Sequence, residues 1–212
     1  MAHIINNKIE AECTKRTEPL TKLVNNQQST IKNLTSRIET LEKELEEQQQ
    51  YSRRTSLRFN NVKLPLDNNN KIIYPIDTDS LVLDVCNDQL SQSITIDDIG
   101  RTHTIGKIKE GKASIIVRFL SYRKRQQVYS NKKRLRNHPD KLNISENLTR
   151  QRFALILKLN KHRKRGDIDS YWTQDGRIIV KPDGNSQPKD FRTISREAEI
   201  QSVLGLTPIE DD

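Results

Sequence analysis

The sequence predicts an α+β chain: an N-terminal parallel coiled-coil helix, then a β-α-β-β-α-β domain, then a small basic α/β domain. Three observations predict it. Apolar residues recur in steps of four and three through much of the first 50 residues. Short apolar runs separated by turn signals follow. Between Arg101 and Arg165 stand 20 Lys+Arg against three acids (Glu110, Asp140, Glu146), a local balance of +17.

A length of 212 residues allows one or two small domains beside an extended element. With 33% hydrophobic and 31% charged residues, one large core is excluded. The net charge is +9, yet the chain outside the basic block holds 17 basic and 25 acidic residues, a balance of −8. A block so basic repels itself until an anion neutralises it, and the polyanions at hand are nucleic acid and the membrane surface. Cys13 and Cys86 are too few and too far apart for a disulfide framework or a four-ligand zinc site, so a reducing compartment is expected. Met1 to Glu10 lack the apolar run of a signal peptide, and no stretch of about 18 apolar residues exists to span a membrane. The expected location is cytoplasmic, with nuclear entry open to the run Lys161–Arg165 as an import signal. The sequons at Asn33, Asn143 and Asn147 read as chance in such a chain.

Residues 1 to 12 are expected to be disordered, and residues 13 to 50 to form the coil. From Cys13 to Gln50 there is one proline, Pro19, and no glycine. Val24, Ile31, Ile38 and Leu45 fall at heptad position a; Leu20, Gln27, Leu34 and Leu41 fall at d. Positions outside this seam are nearly all polar, whereas a helix packed on a globular core carries a wider apolar stripe. β-branched a with Leu at d suits a dimer. Arg37 at g, Ile38 at a, Leu41 at d and Glu42 at e resemble the Arg-h-x-x-h-Glu pattern of parallel trimers. There the guanidinium stem covers the apolar seam and its fork meets a neighbouring carboxylate. A homotrimer is the preferred expectation.

Residues 51 to 147 read as one domain. Leu57, Phe59 and Val62 mark a strand, and a polar loop with Pro65 and Pro75 follows. Asp77 to Leu90 reads as a helix capped by Asp77 or Thr78, with Leu81, Val82, Val85, Cys86 and Leu90 on one face. Ile94 to Ile105 is a second strand region, Gly111-Lys112 a turn, and Ser114 to Leu120 the strongest strand signal in the chain. Tyr122 to Asn137 reads as a very basic helix and Leu142 to Ser145 as a short last strand. This order is the split βαβ arrangement of ferredoxin-like and RRM-like domains. Residues 148 to 205 form the C-terminal domain. A helix runs from Arg150 to Arg165 with Phe153, Leu155, Ile156 and Leu159 on its apolar side, and Gly166 stops it. Asp169 to Thr173, a turn at Gln174 to Gly176, and Arg177 to Lys181 read as a hairpin. Arg192 to Leu204 reads as one more helix, and residues 206 to 212 as an acidic tail.

At this point the chain resembles the first open-reading-frame protein of LINE-type retrotransposons, over about residues 20 to 185. The segment Arg53 to Phe59 is similar to that family's entry into the first RRM strand. Ile99 to Gly106 resembles its Arg-x-His-Arg-x-Gly segment, Ile115 to Phe119 its third strand, and Ile144 to Thr149 the junction to its terminal domain. Tyr171-Trp172, Gly176 and Lys181 fit its closing hairpin. Thr104 stands where the family often has Arg, Asn61 where Gly is common, and after Asp183 no match is found. The resemblance implies a homotrimer that binds single-stranded RNA and DNA with little sequence preference, acts as a nucleic-acid chaperone and forms ribonucleoprotein particles.

The residues themselves suggest how such binding would work. RRM domains stack bases on aromatics of the central strands, but here the third strand offers only Phe119 and the second offers none. Phosphate contact is the better expectation, from Arg58, Arg101 and Arg118 on the strands, with Arg53, Arg54 and His103 beside them. The first basic helix carries Arg123, Lys124, Arg125, Lys132, Lys133, Arg134 and Arg136. The second carries Arg150, Arg152, Lys158, Lys161, Arg163, Lys164 and Arg165. A solvated helix normally alternates signs to gain i,i+4 pairs; these helices lack the acids to do so. Tyr171 and Trp172 are candidates to stack a base, one of them facing inward by strand alternation, with Arg177 and Lys181 on the same hairpin.

Other classes remain open on these residues alone. An enzyme would have to use His103, His138 or Asp97-Asp98, without a Gly-rich phosphate loop, metal-ligand spacing or nucleophile elbow to support it. No catalytic residue, metal, cofactor or small-molecule substrate is expected. A dimeric DNA-binding protein of the bZIP kind would place its basic helix before the zipper, whereas here the heptads come first. A coiled-coil scaffold binding other proteins is a further alternative. Membrane docking is disfavoured because the basic helices lack large apolar faces.

Overall fold

The computed structural model describes residues 2 to 207, with side chains described at residue 12 and from residue 14 to 207. The chain is α+β and divides into two compact units, residues 1 to 48 and 49 to 212. Helix α1 (Ala2–Ser52) makes up the first unit and supplies the opening turn of the second. Its backbone is helical from Ala2, where disorder was expected through residue 12. The physical reason is that no Gly interrupts it and its one Pro, Pro19, lies beyond the first four turns. Along α1, Leu20, Val24, Ile31, Leu34, Ile38, Leu41 and Leu45 are between 48% and 61% exposed. Among the described residues no helix is long and apolar enough to cross a membrane. Most of the expected acidic tail, residues 208 to 212, lies outside the described residues.

The second unit begins with strand β1 (Ser56–Lys63), then helix α2 (Thr78–Asp84), β2 (Ile99–Lys109), β3 (Lys112–Phe119), helix α3 (Tyr122–Asn131) and β4 (Asn143–Glu146). Asp77 caps α2 by accepting from the Ser80 N–H at 3.0 Å. The helix closes through a wider π turn at Val85–Gln89. The four strands pair antiparallel in the order β2-β3-β1-β4. Strand alternation sends Leu57, Phe59, Ile115, Val117 and Phe119 to one face, where they pack with Val82, Cys86, Leu90, Val128, Leu135 and Ile144. Each such side chain contributes about 1.5–3 kcal/mol by leaving water. Burial also pushes the Cys86 thiol up to about 12, which leaves it protonated and inert.

The bounds of β2 and α3 differ from the periodicity: β2 begins at Ile99 rather than Ile94, because Ile96–Asp98 form a 3-10 turn in which the Asp98 side chain accepts the Thr95 N–H at 3.0 Å. β2 runs on to Lys109 because a two-residue turn at Glu110-Gly111, both at positive φ, folds it back onto β3. α3 ends at Asn131 and tightens into a 3-10 turn at Lys132–Leu135, which drives Leu135 into the core. Asn61, standing where the resembled family commonly has glycine, has φ +61° at an irregularity between Phe59 and Val62. Asn tolerates that left-handed conformation better than other L-residues.

Helix α4 (Arg150–Arg165) is capped by Thr149 and ended by Gly166 at φ +85°. Strands β5 (Ser170–Gln174), β6 (Arg177–Lys181) and β7 (Arg192–Ile194) form a second antiparallel sheet, followed by helix α5 (Ala198–Leu204). The expected helix over Arg192 to Leu204 is therefore corrected: its first three residues are a strand, with Ile194 opposite Ile178. The cause is tertiary. Ile194 completes a second core with Leu155, Leu159, Ile168, Ile178, Val180 and Ile200.

A buried polar cluster joins the two cores. The Arg125 and Glu146 side chains are each 2% exposed and are ion-paired. Glu146 Oε1 also accepts the Asp175 N–H at 2.9 Å, and Oε2 accepts the Gly176 N–H at 3.0 Å. Arg152 donates to the Gly176 carbonyl at 2.7 Å. Gln50 accepts the Thr149 N–H at 3.0 Å and donates to the Asn147 carbonyl. Gly176, at φ +80°, is required here, because a Cβ would stand 2.6 Å from the Gln50 side chain. Removing one partner of a buried pair strands the other charge, at a cost of about 3–5 kcal/mol. Glu146→Ala should therefore lower the unfolding free energy by about that much in urea titration, while Glu197→Ala, which removes a carboxylate that is 56% exposed, should change it by less than about 1 kcal/mol.

Candidate nucleic-acid interface

The sheet face turned away from the first core carries the side chains that alternate with it. Arg101 on β2 stands directly opposite Arg118 on β3, and Arg118 in turn faces Ser56 on β1. Arg58 on β1 and His103 on β2 flank Ile116 on β3 from either side. Arg101, His103 and Arg118 are exposed. Arg58 is half-buried, and its Nε has no hydrogen-bond partner. Burial, and then the nearby Arg53 charge, pull the Arg58 guanidinium below its ordinary pKa. Among the described residues no carboxylate lies at ion-pair distance from Arg53, Arg58, Arg101 or Arg118.

Beside the half-buried Ile105 and Ile116, uncharged polar groups make up the β1–β4 part of this face. Asn60 donates to Asn143 at 3.0 Å and to Ser145 at 3.1 Å, and accepts from the Ser114 hydroxyl at 3.2 Å. Like charges directly across a strand pair destabilise it. The arrangement therefore holds cations in register and leaves them uncompensated. Phe59 on β1 and Phe119 on β3, the aromatics that these four strands carry, are 0% and 1% exposed in the core.

One end of the face opens into a groove of about 750 Å³ bounded by Arg58, Lys107, Lys109, Lys112 and Lys141. Glu110 and Asp140 also line it, and Asp140 is tied to Lys112 at 2.9 Å, which holds its carboxyl below the usual range. These four lysines were absent from the sequence-derived set. They stand at strand ends and in turns, and only the β2–β3 pairing gathers them beside Arg58. The one signal in the sequence was the lack of any acid from Gly100 to Lys109.

No family model matches the chain, and no curated protein matches it.

The helix cations divide. Arg125 and Arg152 are corrected from binding candidates to internal groups, since each is buried and bonded in the polar cluster. Lys124 pairs with Asp98 at 3.1 Å, Lys158 with Glu197, and Lys181 with Asp169 at 3.3 Å. Arg123, Lys133, Arg134, Arg150, Arg163, Lys164, Arg165 and Arg177 are exposed, as is Arg54, whose guanidinium lies 3.9 Å from the Tyr51 ring centre. Lys132 sits 3.7 Å from the Tyr129 ring centre, and Lys161 is half-buried on α4. Strand alternation in β5 resolves the aromatic pair. Tyr171 packs against the second core, and Trp172 faces out, edge-on to Phe191 at 5.2 Å. Phe153 was expected on the buried side of α4, but that side is Arg152, Leu155, Leu159 and His162; Phe153 is exposed. Among the described residues no group of three or more His, Cys, Asp or Glu is placed to hold a metal ion.

If the opposed arginines repel, Arg118→Thr should raise the unfolding free energy by about 0.5 kcal/mol in dilute buffer. That gain should vanish near 1 M salt, where charges are screened within about 3 Å. Urea titration at the two ionic strengths checks it.

Proposed function

We propose that this chain is a non-catalytic protein that binds single-stranded nucleic acid, RNA foremost, and assembles through α1 as a parallel coiled coil, preferentially a homotrimer. The observation that carries the proposal is the row of opposed, acid-free guanidinium groups at Arg101, Arg118 and Arg58. Spaced cations on an otherwise uncharged face suit successive phosphates of a strand, and the groove at Lys107 and Lys109 continues the positive path. With both sheet aromatics, Phe59 and Phe119, turned into the core, binding is electrostatic and indifferent to base identity.

The order β-α-β-β-α-β with strand order β2-β3-β1-β4 supports an RRM-like reading of the central domain. The exposed heptad seam of α1 supports the coiled coil, since burying it against identical helices removes apolar surface from water. Several weak modules on one rod gain avidity while each contact still exchanges, the property that strand annealing requires. The resemblance to the first open-reading-frame protein of LINE-type retrotransposons gives the corresponding role: coating an element's RNA as a ribonucleoprotein particle, in the cytoplasm and with entry to the nucleus.

Two measurements test this. If each subunit neutralises about six phosphates, the log K versus log salt slope on single strands is roughly −4. Arg101→Ala with Arg118→Ala should flatten that slope by about 1.4. An unchanged slope would remove the sheet face from the interface. Ile31→Asp with Ile38→Asp should convert the sedimenting species to a monomer and weaken binding by about 10²-fold or more. A wild-type chain that sediments as a monomer would overturn the assembly.

A further inference from the structure

Beyond α3 the chain carries a cationic feature that the sheet face does not use. The 3-10 turn at Lys132–Leu135 is pinned by buried Leu135. The backbone then bends back through hydrogen bonds from Arg136 to Lys133, His138 to Leu135 and Lys141 to His138. The bend encloses a notch of about 400 Å³ lined by Lys133, Arg134, Arg136, Asn137 and His138. No carboxylate lines it. The acid next to it in sequence, Asp140, is engaged by Lys112 at 2.9 Å. The Asp140 N–H donates to His138 Nδ1 at 3.2 Å, so the neutral ring carries its proton on Nε2. Arg134 is steadied by the Leu90 carbonyl at 3.0 Å. The notch is thus rich in donors: an ammonium, two guanidinium groups, an amide and an imidazole N–H.

Cations after a helix often serve only to offset its dipole, by bonding the last carbonyls. Lys133 and Arg136 do not: both are exposed and neither bonds a carbonyl of α3. A small concavity rich in donors fits a compact anion with several acceptor oxygens, a phosphate group.

Its position sets it apart from the sheet face. Leu135 lies in the first core, on the side of the four-stranded sheet that packs α2 and α3. Arg58, Arg101 and Arg118 alternate with core residues and project from the other side. We infer that the notch is a second phosphodiester-binding site, so that one subunit holds two strands at once, one on each side of the sheet. This rests on the nucleic-acid reading above and extends it from coating one strand to bringing two together.

Native mass measurement of the full chain with an oligothymidylate of about four nucleotides, in dilute buffer, counts strands per subunit. Lys133→Ala with Arg136→Ala should take one strand fewer per subunit than wild type, and Arg101→Ala with Arg118→Ala should retain the notch-bound strand. Both notch substitutions are at exposed positions, and matching circular dichroism spectra check that the fold is kept. An unchanged count in the notch variant overturns the second site and leaves the nucleic-acid reading standing. A wild-type chain that takes no oligonucleotide overturns both. Inorganic phosphate at equal phosphate concentration should leave the count unchanged. If it empties the notch alone, the site takes free phosphate and the two-strand inference fails.

Discussion

The second unit depends on a buried ion pair. Glu146 on β4 is held by three donors from two elements: the Arg125 guanidinium on α3 and the backbone N–H groups of Asp175 and Gly176 in the β5–β6 turn. A carboxylate removed from water is costly unless its oxygens are bonded, and here both are. The same turn is held from its other side by Arg152, and Gln50 lies against Gly176. The cluster therefore ties the end of α1, the last strand of the first sheet, the start of α4 and the hairpin of the second sheet. Tyr122 and Tyr129 add to it, bonding Asp175 and Thr173 from α3, with the Arg125 guanidinium near both rings. Two small cores, neither large, become parts of one compact unit by this route.

The cluster also changes how the basic block is understood. A balance of +17 suggests a uniformly free positive surface, yet the structure sorts its members. Arg125 and Arg152 are internal. Lys124 and Lys158 have carboxylate partners from outside the block, Asp98 and Glu197. Among the members left without acids, the strands set Arg101 against Arg118, with Arg58, from outside the block, beside them. The α-helical cations can swing to relieve repulsion, but residues opposed across a β-ladder keep Cα positions fixed by backbone hydrogen bonds. The repulsion there is built into the fold, and an anion relieves it. That is the physical basis on which the binding proposal rests.

Much of the element structure was legible because it is local. Ile115, Val117 and Phe119 alternate with polar neighbours and form the inward face of β3. Asp77 caps α2, Thr149 caps α4, and Gly166 ends it, each by hydrogen bonds or backbone conformations spanning a few residues. The Asp175-Gly176 turn was readable for the same reason. β7 was not: Arg192–Ile194 has three residues and no run of its own, and becomes a strand only because β6 lies beside it. Phe153 was placed on the wrong side of α4 because Arg152 and His162, polar by type, take the buried face.

By itself the sequence determined the heptad seam of α1, most strand and helix positions, the turn residues and the stretch of chain that is overwhelmingly basic. These follow from neighbours within a turn of helix or a few residues of strand, where propensity and periodicity act. The tertiary structure alone decided that Arg123 faces solvent while Arg125 is enclosed, since Glu146 lies 21 residues further on. It alone set Arg101 opposite Arg118 and drew Lys107, Lys109 and Lys141 around Arg58. Strand register and burial depend on the whole core closing at once, and no window of adjacent residues encodes them.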